Sequence, residues 1–153
     1  MRKMFFVALA VVACSKSETP ASDTAAGAAA PPAAPAALTA ADLRGTWNGT
    51  SKREGTDSVV NFTVVSTSDS TGKIVFAGSK DSVNTTSTFD GDSTIVTSAP
   101  YTDPTAPKGA PQVVFRSVGR LKDGKLVGTA AVMPATRPDT VIQRATWEAT
   151  RAP

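Results

Sequence analysis

The chain has 153 residues, of which 41% are hydrophobic and 19% charged, with a net charge of +3, one cysteine and no histidine. This length predicts one folded domain. The absence of histidine and the single cysteine exclude an internal disulfide, a His- or Cys-based zinc site, and Ser-His-Asp or Cys-His catalytic groups.

Arg2 and Lys3 supply two positive charges, and the rest of the chain is close to neutral. From Ala41 onward, 13 Lys and Arg side chains stand against 11 Asp and Glu side chains. No stretch interleaves basic with aromatic residues, so we expect no nucleic-acid partner.

The N-terminus has the pattern of a signal peptide. Arg2 and Lys3 form a positive start, and residues 4–12 are uncharged and mostly apolar. Nine residues are too few for a membrane span, which needs roughly twenty, but they suit the apolar region of a signal peptide.

Two aliphatic residues, a small residue and the single cysteine come next, as Val11, Val12, Ala13 and Cys14. This segment resembles the bacterial lipoprotein signal, with Val11 in place of the usual leucine. The resemblance implies that residues 1–13 are removed and that Cys14 carries a diacylglycerol, with palmitate-type chains as its membrane anchor. Each buried methylene adds about 0.8 kcal/mol of membrane affinity. The alternative is an ordinary secretory signal with a chance cysteine.

Ser15 follows the cysteine where an aspartate would favour retention at the inner membrane, so the resemblance favours the outer membrane over the inner in a Gram-negative cell. A periplasmic and a surface-facing lipoprotein both remain open. Residues 14–40 are rich in Ala, Pro, Ser and Thr and predict a disordered, lipidated linker. A polyalanine helix is the competing interpretation, but Pro31, Pro32 and Pro35 interrupt it.

Residues 41–153 form the predicted domain. Thr39 and Asp42 are placed to cap one helical turn at its start. Beyond them apolar residues alternate with polar ones between turn residues, which predicts strands. The eight predicted strands are residues 46–53, 58–66, 73–79, 82–89, 93–99, 112–121, 126–133 and 140–151. We therefore predict an all-β fold, a small antiparallel up-and-down β-barrel, with a β-sandwich as the alternative.

Gly45-Thr46-Trp47 opens the first predicted strand. It resembles the Gly-X-Trp motif that opens the first strand of lipocalins and other calycin barrels. The resemblance implies that Trp47 closes one end of the barrel and that a basic residue of the last strand, Arg151 or else Arg144, packs over its indole. The simpler interpretation is that Trp47 and Trp147 are core aromatics.

An eight-stranded barrel has room for its own side chains or for one small ligand. Gly128 and Ala130 are small residues on the inward face of the seventh predicted strand and leave space. We predict a cavity that binds a small apolar ligand, lined by Trp47, Phe62, Ile74, Phe76, Phe115 and Trp147. The alternative is a filled barrel that acts as a structural or protein-interaction module of the envelope, with the Pro-rich loop from Tyr101 to Gln112 as its working surface.

The charged residues give little sign of chemistry. Most aspartates fall in predicted turns, where they cap their own backbone, and Asp90-Gly91-Asp92 lacks the spaced ligands of a calcium loop. Glu148 is expected to point outward, and Arg116 and Arg120 form either an anion-binding stripe or a solvated outer face. We expect a non-enzymatic protein with no catalytic residues, metal or cofactor, although two acids across a cleft could serve glycoside hydrolysis.

Overall fold

The computed structural model describes residues 37–153. The predicted signal peptide, Cys14 and most of the predicted linker lie outside the described residues. The end of the predicted linker is an exception, because Leu38 is buried and hydrogen-bonded to the barrel. The packed structure therefore begins before Ala41.

The described chain is one short helix followed by eight strands, each antiparallel to the next. β8 also pairs with β1, so the sheet closes into an up-and-down barrel. This confirms the predicted fold class and rules out the sandwich. The elements are α1 (Ala40–Leu43), β1 (Gly45–Arg53), β2 (Val59–Ser66), β3 (Thr71–Phe76), β4 (Ser82–Asp90), β5 (Ser93–Ser98), β6 (Val113–Lys122), β7 (Lys125–Pro134) and β8 (Gln143–Arg151).

Six of the eight strands begin and end within one residue of their predicted bounds. The turn between β6 and β7 shows why the sequence is informative at hairpins. Asp123 and Gly124 both have positive φ, 51° and 76°, which a two-residue turn of this kind requires and which Asp-Gly adopts readily. Lys122 and Lys125 pair directly across it.

The predicted third strand, residues 73–79, is wrong at both ends, since β3 runs Thr71–Phe76. Gly72, which lies outside the predicted strand, pairs with Thr85 of β4. The chain leaves the sheet after β3 because Gly78 has a φ of 83°, a turn conformation.

The predicted last strand, residues 140–151, begins too early, because β8 starts at Gln143. The backbone N–H of Thr140 donates to the carbonyl oxygen of Arg137 at 3.1 Å, which forms a turn instead. Val141, which the predicted strand includes, consequently lies in the loop with 42% of its surface exposed.

Two glycines position the second tryptophan. A Cβ added at Gly128 would lie 2.7 Å from Cζ2 of Trp147, and one added at Gly119 would lie 2.6 Å from the same atom. Both distances are too short for a real contact, so the indole occupies space that only glycine leaves free. The barrel interior is thus shaped by where side chains are missing as well as by where they are present.

The two ends of the barrel are covered differently. We call the end where β1 begins and β8 ends the base, and the opposite end the mouth. The base carries α1 and three hairpin turns, and the backbone N–H of Leu38 donates to the carbonyl oxygen of Gly91 there at 2.9 Å. The mouth carries the long loop 99–112 between β5 and β6.

Candidate ligand-binding site

A cavity of about 160 Å³ lies inside the barrel and is lined by side chains from all eight strands. Apolar cavities of about 150 Å³ in proteins admit a benzene ring. The structure brings all six predicted residues into this one lining: Trp47, Phe62, Ile74, Phe76, Phe115 and Trp147.

The aromatic rings around the cavity contact one another in two groups. Phe62 and Trp147 meet edge to face, with ring centroids 6.4 Å apart. Tyr101 stacks on Phe76 at 5.4 Å and meets Phe115 edge to face at 6.1 Å. Such pairs contribute roughly 0.5–1.5 kcal/mol beyond the area that they bury, so these contacts stabilise the aromatic lining.

Trp47 forms the floor of the cavity at the base. It is 2% exposed, and its indole nitrogen donates to the carbonyl oxygen of Leu43 at 2.9 Å. Leu43 also lines the cavity, so α1 and Trp47 together close this end.

Arg151 lies over the outer face of that floor. Its guanidinium carbon is 4.6 Å from the centroid of the Trp47 ring, within range of a cation–π interaction. The same guanidinium donates to the carbonyl oxygens of Asp42, at 2.8 Å, and Arg44. Arg151 therefore fills the predicted position, whereas Arg144, the second choice, is exposed and paired with Ala131 of β7 instead.

The structure at the base explains why the Gly-X-Trp sequence begins with glycine. Gly45 has a φ of 109°, which side chains rarely tolerate, and a Cβ there would lie 3.0 Å from Nη1 of Arg151. The helical turn that precedes it is capped as predicted. The hydroxyl and backbone N–H of Thr39 both donate to the carboxylate of Asp42, at 2.7 and 2.8 Å, and these bonds lower the pKa of Asp42.

The loop 99–112 contributes to the cavity, which the sequence did not indicate. Tyr101 pairs with Val113 through two backbone hydrogen bonds of 2.9 and 2.8 Å. Asp103 accepts a hydrogen bond of 2.6 Å from the guanidinium of Arg53, and these two side chains are only 20% and 28% exposed. Tyr101, Asp103 and Pro104 all line the cavity at its mouth.

Burial is the main reason that the pKa of the Tyr101 phenol rises from 10.0 to about 12. The Asp103 carboxylate raises it further, and the Arg53 guanidinium lowers it. Tyr101 is the single tyrosine in the chain, which makes its ionisation directly observable.

Several further lining residues were not predicted, and most are small or polar. They include Ser51, Thr85, Ser87, Thr94, Ser117 and Leu126. On β6 every second residue faces inward, and Ser117 lies two positions after the inward-facing Phe115. This alternation could have identified Ser117 as inward-facing. Polar residues in such an alternation are ordinarily expected on the outside of a barrel.

The charged side chains considered earlier lie outside. Glu148 is exposed, as predicted, and Arg116 and Arg120 are exposed on the outer face of β6. Within residues 37–153, neither arginine forms a salt bridge, and no cluster of three His, Cys, Asp or Glu side chains could hold a metal ion.

No protein-family model matches the sequence, and no curated protein or solved structure matches it either. The likeness to calycin barrels is therefore one of architecture, an eight-stranded closed antiparallel barrel with Gly45-Thr46-Trp47 at its start. No helix among residues 37–153 is long and apolar enough to cross a membrane.

Replacing Arg151 tests the closure of the base. We expect Arg151→Gln to lower the free energy of unfolding by about 1–2 kcal/mol, because it removes the cation–π contact and two charged hydrogen bonds at an exposed position. The measurement is urea unfolding followed by tryptophan fluorescence. Arg144→Gln is the matched control, and an equal loss in both variants would contradict the assignment.

The raised pKa of Tyr101 predicts a specific alkaline instability. The pKa of Tyr101 is higher in the folded than in the unfolded chain, so its stabilising contribution to the free energy of unfolding is fully present below pH 10. That contribution is lost as the pH rises through about 12, a loss of roughly 3 kcal/mol. Ultraviolet titration of tyrosinate in the folded chain should have its midpoint near 12. Tyr101→Phe should lack this part of the alkaline loss, and a folded-state midpoint near 10 would contradict a buried phenol.

Proposed function

We propose that this protein is a lipid-anchored lipoprotein of the bacterial envelope whose lipocalin-like barrel binds a small apolar ligand. The observation that carries the ligand proposal is the cavity of about 160 Å³, which is lined mainly by aromatic and aliphatic side chains. Ligand sites in proteins are typically concave and mostly apolar, with a few polar groups that orient the ligand.

Binding without catalysis is the second part of the proposal. Asp103 is the one carboxylate among the described residues that line the cavity, and its oxygens already bond to Arg53 and Thr105. Glycoside hydrolysis by two acids needs a second carboxylate across the cleft. The lining supports a binding role that needs no metal or cofactor.

The membrane part rests on the sequence alone, on the apolar stretch 4–12 and the motif that ends at Cys14. The lipid anchor would hold the barrel at the outer membrane. Leu38 packs against the barrel, and 23 residues of sequence lie between it and Cys14.

The rival proposal is a protein-interaction or structural module of the envelope. The observation in its favour is the loop 99–112, whose residues between Pro104 and Gln112 are mostly exposed at the mouth. A partner protein would then contact this loop, and the interior of the barrel would stay empty of ligand.

Filling the cavity distinguishes the two proposals. We expect the wild-type chain, purified gently from its own cells, to carry a small molecule detectable by native mass spectrometry. Ala130→Phe should lose that molecule, because Ala130 lines the cavity and a benzyl group there occupies the space of a ring-sized ligand. Ala131→Phe is the matched control, since Ala131 is the next residue on β7 and does not line the cavity.

Both variants should unfold cooperatively in denaturant, which establishes that neither substitution acts by unfolding the barrel. A bare protein mass for the wild type under gentle conditions would reject the carrier proposal and favour the interaction module. Crosslinking through the loop 99–112 would then be the next measurement.

Replacing Cys14 tests the anchor. We expect the mature wild-type chain to begin at Cys14 with a diacylglyceryl mass increment and to sediment with membranes. Cys14→Ala should lack the increment and leave the membrane fraction after extraction with salt, whereas the control Ser17→Ala should behave as wild type. An unmodified Cys14 in the mature chain would contradict the lipoprotein assignment.

A further inference from the structure

Two arginines lie on one row of the sheet, with a single alanine between them. Arg116 on β6 is the register partner of Ala131 on β7, and Ala131 is in turn the partner of Arg144 on β8. Neighbouring strands are about 4.8 Å apart, so the backbones of the two arginines are about 10 Å apart. Half of that distance is shorter than an extended arginine side chain. Both guanidiniums can therefore reach one group bound above the methyl group of Ala131.

This row faces away from the cavity. On each of the three strands, the residues before and after the row line the cavity, namely Phe115 and Ser117, Ala130 and Val132, and Gln143 and Ala145. Side chains alternate between the two faces of a strand, so the row belongs to the outer face. Both arginines are exposed there.

The two arginines form no salt bridge within residues 37–153, since the three salt bridges in this part of the chain involve other residues. A second row on the same strands gives the contrast, because Arg120 is the partner of Val127 and Val127 is the partner of Glu148. That row carries one charge of each sign, whereas the row of Arg116 and Arg144 carries two positive charges. Two positive charges on one row repel each other, and an anion bound between them is attracted to both.

The row forms part of a groove that contains further hydrogen-bond donors. Thr129 and Thr146 are register partners in the next row of the outer face, and Lys52 on β1 is the partner of Thr146. All three line the same groove as the two arginines. Guanidinium, ammonium and hydroxyl groups all donate hydrogen bonds to oxyanions. The groove thus presents donors from four adjacent strands.

Two carboxylates from the turn between β1 and β2 also line the groove. Asp57 lies 3.5 Å from the ammonium group of Lys52. The backbone N–H of Glu54 donates to the carbonyl oxygen of Arg144 at 2.9 Å, which places Glu54 beside that arginine, although their side chains form no salt bridge. Arg53, the remaining basic residue of the lining, has its own salt bridge at the mouth. The positive charge of the groove is therefore centred on the row, and Glu54 is the carboxylate that opposes it.

We propose that this groove binds a phosphate group, held between the guanidiniums of Arg116 and Arg144. Guanidinium forks match the oxygens of phosphate in geometry, and two of them supply two positive charges. The small side chain of Ala131 leaves space for the phosphate between them. Free phosphate and the headgroup of a phospholipid present the same chemistry to this site. The inference goes beyond the proposed function, because it assigns a second site on the outside of the barrel.

Inorganic phosphate is the probe, and sodium chloride of the same ionic strength is the reference for general screening of charge. The chain as the cell produces it is held in micelles of a non-ionic sugar detergent, which contains no phosphate. The readout is the Nε–H resonances of Arg116 and Arg144 together with the backbone N–H resonance of Ala131. We expect phosphate, and not chloride, to shift all three until they saturate. The Nε–H resonance of Arg120 is the internal control.

Substitutions on the row and beside it should have effects of opposite sign. We expect Arg116→Gln and Arg144→Gln each to weaken phosphate binding about three- to tenfold, because each removes a charged donor. Glu54→Gln should tighten phosphate binding about twofold, because it removes the neighbouring negative charge. Arg120→Gln, on the row that already contains Glu148, is the matched control and should leave the phosphate affinity unchanged. All four substituted residues are exposed, and urea unfolding checks that each variant is folded.

The same resonances identify the source of the phosphate when nanodiscs of phosphatidylglycerol replace the micelles. A shift without added phosphate that is absent from Arg144→Gln assigns the site to a lipid headgroup, and a shift with free phosphate alone assigns it to a soluble ligand. Equal shifts with chloride, or a phosphate affinity that neither row substitution changes, would overturn the inference. An equal loss of affinity in Arg120→Gln would also overturn it, since that result shows only general attraction to positive charge.

Discussion

The pairing of β1 with β8 is the contact on which the rest of the barrel depends. It joins Trp47 to Arg151, more than 100 residues later, and converts a sheet with two open edges into a cylinder with none. Closure fixes the width of an eight-stranded barrel, so the volumes of the inward side chains decide whether space remains. The seam also places the Arg151 guanidinium over the Trp47 indole, and the floor of the cavity is therefore built by the same contact that closes the sheet.

The interior is not filled, and the small inward residues are the reason. Ala130 and Ala145 are neighbours across β7 and β8 and leave room that larger aliphatic residues would fill. At about 24 cal/mol per Å³, an empty cavity of 160 Å³ costs on the order of 4 kcal/mol relative to a packed core. That is a large fraction of the stability of a domain of this size, so an occupant that contacts the lining stabilises the fold as well as binding to it.

Much of this arrangement follows from local sequence patterns. The rest depends on contacts between residues that are far apart in the chain. The period of two on β2, β3 and β6 places Phe62, Ile74 and Phe115 on one face, and closure then brings those faces together. The position of Tyr101 in the lining could not be predicted from local patterns. It depends on backbone hydrogen bonds with Val113 and on neighbours from strands far away in sequence. Gly72 shows a second limit, since glycine is typical of turns and this one is a strand residue because β2 and β4 pair with it on either side.

The two ends of the cavity differ in how much structure must move to expose it. Opening the base would separate α1 from Trp47 and break the bonds of Arg151 to two carbonyl groups, next to the seam that closes the barrel. Opening the mouth would move one loop, by separating Asp103 from Arg53 and Tyr101 from its aromatic neighbours, while every strand pair stays intact. Local opening draws on the least costly contacts in a structure, and here those contacts lie at the mouth. The aromatic lining can thus be reached from the mouth without loss of the closed sheet that positions it.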